Sequence, residues 1–167
     1  MSDPAIEFTI AAVLIGCGAT ALMDVWGVVK ARLWGVTSLD YALLGRWIGH
    51  MPRGRFVHRS IAAASQVAGE RILGWVAHYV TGIAFAAVLL AIGGRGWLET
   101  PTLAPALVVG LATVLFPFLI MQPALGAGIA AGRTPAPGRA RFHSLASHFV
   151  FGLGLYLSGL LVSMLLP

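Results

Sequence analysis

Apolar side chains gather into four long runs, and nearly all the charge sits between them. The first run spans Phe8 to Val29 and is broken only by Asp24. The second spans Ile72 to Gly93, with His78 inside it. The third spans Leu103 to Ala131 and contains Pro105, Pro117, Gln122 and Pro123. The fourth spans Leu145 to Leu166, with His148 near its start. A bilayer core is about 30 Å thick, so a spanning helix needs roughly 20 apolar residues. Each run meets that length. The pattern predicts an all-α, polytopic membrane protein with four transmembrane helices in a single transmembrane domain over residues 1–167. The first run is not read as a secretory signal peptide, because no basic residue precedes it and it is too long for an h-region.

The stretch from 30 to 71 is too long and too aromatic for a plain connector. Ser38 is placed to cap a helix from Leu39 to Ile48. Leu39, Leu43 and Trp47 share one face of that helix at i, i+4 spacing. This predicts an amphipathic interfacial helix at the headgroup boundary, anchored by Trp47 and Arg46. A turn-rich basic segment follows, from Gly49 to Arg55, and then a short helix over about 60–68. In the third run, Pro117 and Pro123 each remove a backbone donor and predict a kink. Ala124, Gly128 and Gly132 form a small-residue row suited to tight helix packing or a homodimer.

Composition sharpens the class. Hydrophobic residues make up 58% and charged residues 10% of the 167, and mean hydropathy is +0.86. Soluble domains carry about 25% charged residues, so a surface this poor in charge is not built for water. The lone cysteine, Cys17, excludes an internal disulfide and a cysteine-cluster metal site. The net charge of +5 does not point to nucleic acid, because the basic residues sit in the gaps between apolar runs. Seven of them, Lys30, Arg32, Arg46, Arg53, Arg55, Arg59 and Arg71, precede the second run. Arg95 stands alone after it, and Arg133, Arg139 and Arg141 precede the fourth. Basic loops are retained in the cytoplasm. The expected location is a bacterial inner membrane with both termini periplasmic.

The runs also echo one another. His78-Tyr79-Val80-Thr81-Gly82-Ile83 matches His148-Phe149-Val150-Phe151-Gly152-Leu153, and Leu22-Met23-Asp24 matches Ile120-Met121-Gln122. The pair order predicts a tandem repeat of two helical hairpins. By helix rise, His78, His148, Asp24 and Gln122 would lie about 5–13 Å inside the cytoplasmic ends of their spans.

Ionisable groups inside a span are costly and face the bundle interior. Three readings of Asp24, His78 and His148 stay open. They pin helices together; they hold a ligand, either haem b or a divalent transition metal; or they relay protons or cations. Met23, Met121 and Gln122 are secondary candidates for the ligand. No standard metal spacing is present. Arg46, His50, Arg53, Arg55 and His58 are candidates to contact an anionic ligand or lipid at the cytoplasmic face. Glu70 is expected to pair with its neighbour Arg71. No serine elbow or phosphate loop is found, so an enzyme is not expected.

Several stretches resemble a family of small bacterial inner-membrane proteins catalogued as a domain of unknown function. They are Gly18 to Trp26, Gly45 to Met51, Gly54 to His58, Gly74 to Tyr79, and Ser147 to Gly154. The resemblance covers nearly the whole chain. It implies the four-helix membrane architecture and brings no activity, cofactor or site residue.

Overall fold

The computed structural model describes residues 3–36 and 39–165, and among them regular structure is entirely helical. Helix α1 spans Pro4–Trp34, α2 Tyr41–His50, α3 Glu70–Glu99, α4 Leu103–Ala112, α5 Gln122–Leu125 and α6 Pro137–Ser163. Four segments are long and apolar enough to cross a membrane: Pro4–Trp34, Glu70–Glu99, Leu103–Leu125 and Pro137–Ser163. Each contains the expected run or most of it. Their outer faces are apolar, with Val25, Ile72, Val76, Ile92, Val108 and Leu161 all exposed, as lipid-facing side chains are.

Local chemistry sets the ends. Asp3 caps α1 by accepting from the Ala5 amide at 2.9 Å, with Pro4 at the first helical position. The helix stops at Gly35, whose φ of 64° is a left-handed conformation that glycine adopts without a steric penalty. Lys30 therefore lies inside α1 and not in the following loop. Gly94 (φ 63°) breaks α3 near the expected end of the second run, after which helix resumes to Glu99.

The third span departs from expectation. A helix to Ala131 was expected, but α4 ends at Ala112 and the span closes at Leu125. Pro117 has no amide to offer the carbonyl of Thr113, so the ladder opens there. Residues Pro117–Met121 form a π-helix, closed by the Gln122 amide on the Pro117 carbonyl, five residues back. The wider turn fits between Pro117 and Pro123. Gly126 (φ 99°) then ends α5, and Gly128 (φ 77°) keeps the chain non-helical. Ala124, Gly128 and Gly132 therefore do not form one helical row.

The chain groups into two compact units. The first gathers 3–36, 79–113 and 146–165; the second gathers 39–78 and 114–145. In the first, Ile15, Leu89 and Leu155 are fully buried among alanines and Phe151. Helices approach there at glycines. A methyl on Gly16 would stand 2.5 Å from Ile83 Cα, and one on Gly154 would stand 2.7 Å from Ala19 Cα. Gly110 meets Gly152 in the same way on α4 and α6. Bilayers supply little hydrophobic drive between helices, so such close backbone packing carries much of the association.

The second unit packs Leu44 and Trp47 of α2 against Ile61, Ala124 and Leu125. Asp40 caps α2, accepting from the Ala42 amide at 2.9 Å. Ser38, expected in that role, lies outside the described residues. Gly45 and Gly74 bring α2 and α3 into backbone contact. Leu39, Leu43 and Trp47, expected on the apolar face of an interfacial helix, pack against this protein core. Within 60–68, helix is limited to one turn at Ile61–Ala63.

Candidate functional site

The polar residues of the spans meet hydroxyls. In the first unit, Tyr79 Oη on α3 donates to Asp24 Oδ2 on α1 at 3.1 Å. His148 Nδ1 on α6 lies 2.8 Å from Thr113 Oγ1, which also bonds the Gly110 carbonyl. That carbonyl only accepts, so the threonine proton goes there and His148 Nδ1 is the donor to Thr113. Lys30 is 5% exposed and donates to Ser147 Oγ at 2.8 Å. It is the only lysine in the sequence. One turn earlier on the same helix, Trp26 Nε1 is buried with no hydrogen-bond partner.

In the second unit, His78 Nε2 lies 2.9 Å from Tyr41 Oη, and the two rings stack with centroids 4.2 Å apart. Trp75 packs edge-on against Tyr41 at 4.5 Å. Met23 packs against the core of the first unit and Met121 against that of the second. Gln122 Oε1 is buried and has no hydrogen-bond partner. Among the described residues, no group of three or more His, Cys, Asp or Glu side chains is placed to hold a metal ion.

Arg46 differs most from its expected role. Its guanidinium is buried, and it grips Glu70 in a bidentate pair at 2.8 and 2.7 Å. The remaining nitrogen reaches the carbonyls of Ile61, Ala62 and Ala64 at 3.4, 3.2 and 3.2 Å. Glu70 also accepts from the Val67 amide at 3.0 Å. The carboxylate holds the Arg46 pKa above its ordinary value, against the opposing effect of burial. The planar fork clamps the turn at Ile61–Ala63 onto α2, which a lysine point charge would not do. Glu70 thus pairs across 24 residues with Arg46 and not with Arg71. Trp47 is likewise turned inward, donating from Nε1 to the Phe56 carbonyl at 2.8 Å. Arg53 and Arg55 are exposed.

His50 and His58 stand together. His50 is 1% exposed, at the end of α2, and its Nε2 lies 2.9 Å from the Ser65 carbonyl. The two rings meet edge-on with centroids 5.1 Å apart. His50 Nδ1 and both ring nitrogens of His58 are buried and have no hydrogen-bond partner. The sequence grouped His50 and His58 only as neighbours of the loop arginines and gave no signal that their rings meet. Nor did it mark Tyr41, Thr113 or Ser147 as partners for groups in the spans.

The fold is that of a small α-helical protein with four helices long and apolar enough to cross a membrane. The family described as "Protein of unknown function (DUF2938)" matches residues 13–162, and the chain belongs to it. No curated protein and no solved structure matches the chain.

Proposed function

We propose that this is a non-enzymatic accessory component of a bacterial inner membrane, with both termini periplasmic, whose buried polar groups pin its helices. The carrying observation is that Asp24, His78, His148 and Lys30 each reach a hydroxyl on another helix or, for His148, on the residue that caps α4. Interhelical bonds of this kind contribute about 0.6 kcal/mol each in bilayers. Several of them fix one register without needing a ligand. The basic loops support the orientation, since Lys and Arg are retained on the cytoplasmic side. A tandem doubling of one hairpin is part of the same proposal. Gly82 and Gly152 each follow a histidine by four residues, and each lies at a close crossing, with Thr20 on α1 and with Ala106 and Leu107 on α4 respectively.

The competing proposal gives Asp24, His78 and His148 a haem b or a divalent metal to hold, or a proton to pass. One preparation separates the two. Purified wild-type protein is expected to show no Soret band and no flux in proteoliposomes. His148→Ala is expected to lower stability against SDS. Haem or metal whose retention depends on His78 and His148, or proton flux abolished by Asp24→Asn, would overturn the packing role.

A further inference from the structure

The edge-on histidine pair of the second unit carries a proposal independent of the packing role above. His50 ends α2, and the chain turns back through Gly54, whose φ is 70°. That turn returns His58 to the His50 ring. The backbone there is anchored, because the His58 amide donates to the Ala124 carbonyl at 2.8 Å. A carbonyl can only accept, so His50 Nε2 carries its proton toward Ser65. In the neutral ring, Nδ1 then has a bare lone pair, buried and without a donor. An N–H held by a backbone carbonyl is how metal-binding histidines are commonly oriented. His58 adds two further buried nitrogens without partners. A neutral imidazole offers one lone pair, so His50 Nδ1 and one nitrogen of His58 are the two atoms that could take an ion.

Geometry and charge narrow what fits. A metal–nitrogen bond is about 2.0–2.1 Å, which puts each ring centroid about 3.2 Å from the ion and two tetrahedrally placed rings about 5.2 Å apart. The observed centroid separation is 5.1 Å. No acid of the described residues joins the pair in a metal-binding group, and Glu70 is engaged with Arg46. A neutral ligand set suits a monovalent ion better than a divalent one. Met51 and Met121 both pack on the core of this unit, and Met51 follows His50 directly in the chain. Imidazole with thioether favours copper(I). Gln122 Oε1 is a further buried acceptor in the same unit.

We propose that His50 and His58 bind a copper(I) ion. The test uses the purified full-length protein in detergent, loaded with copper(I) without oxygen and challenged with bicinchoninate as a competing chelator. Wild type is expected to retain copper in proportion to chain. His50→Ala and His58→Ala are each expected to weaken retention at least about 100-fold. His143→Ala and Cys17→Ala are expected to leave it unchanged. If His50→Ala does not fold, His58→Ala with wild-type circular dichroism decides the matter. The proposal is overturned if wild type retains no copper, if both histidine variants retain it as wild type does, or if zinc(II) is held as tightly as copper(I).

Discussion

Replacing Gly16 with alanine tests how the first unit is held. The added methyl would lie 2.5 Å from Ile83 Cα, 2.8 Å from the Ile83 nitrogen and 2.9 Å from the Gly82 carbonyl oxygen. All three are backbone atoms, so no side chain can swing aside. Carbon atoms rest at about 3.5–4.0 Å, so α1 and α3 must part by about 1 Å or more. Overpacking of this kind costs about 1–3 kcal/mol. The same movement stretches the Tyr79–Asp24 bond, already 3.1 Å, and forfeits about 0.6 kcal/mol more. Alanine returns at most about 1 kcal/mol through helix propensity. The expected net loss is about 1–3 kcal/mol, or roughly 5- to 150-fold in the folded ratio at 1.4 kcal/mol per factor of ten. The assay is SDS titration in mild detergent followed by circular dichroism. Gly96→Ala is the internal control, because no heavy atom lies within 4 Å of its new methyl. It should unfold at the wild-type SDS fraction or slightly above. Equal midpoints for Gly16→Ala and wild type would refute the crossing.

Three other outcomes follow from the contacts described. Thr113→Val leaves His148 Nδ1 without its acceptor and should cost about 1 kcal/mol in the same titration, while Thr9→Val, near the start of α1, should cost less. Arg46→Lys should lower the SDS midpoint nearly as far as Arg46→Met, since an ammonium cannot span both Glu70 oxygens and three carbonyls; full rescue by lysine would contradict the fork. For His58, burial holds the folded pKa below the ordinary 6.5. Protonation then favours the unfolded chain, so stability is greatest above about pH 6.5 and falls as pH drops through the folded value. Metal-free wild type should lose SDS resistance between about pH 7.5 and 5.5, and His58→Gln should flatten that slope; an unchanged slope in the variant would assign it elsewhere.

The architecture was readable because span length is a local property. Phe8 to Val29 and Ile72 to Gly93 announce themselves as long, mostly apolar runs, and the helices observed contain both. The partners of the polar groups were not readable, because they are fixed by crossings far apart in sequence. Lys30 finds Ser147 across 117 residues, His148 finds Thr113 across 35, and Tyr41 finds His78 across 37. Arg46 looked like a headgroup anchor because its neighbours are amphipathic; the carboxylate that claims it enters only when Gly45 and Gly74 let α2 touch α3. The end of the third span is hidden from the sequence for a different reason. Hydropathy continues smoothly through Gly126 and Gly128, whereas their positive φ values end the helix. Composition does not record a dihedral angle.

The π-turn between Pro117 and Pro123 has a geometric corollary. It takes in one residue beyond what an α-turn would hold, and each helical residue advances the side-chain direction by about 100°. Every position from Gln122 onward is therefore set out of phase with residues 114–116 by that angle. Deleting one residue from 118–120 would restore ordinary winding and swing the Ala124 carbonyl away from the His58 amide it now receives. The angular setting of α5 depends on that single additional residue.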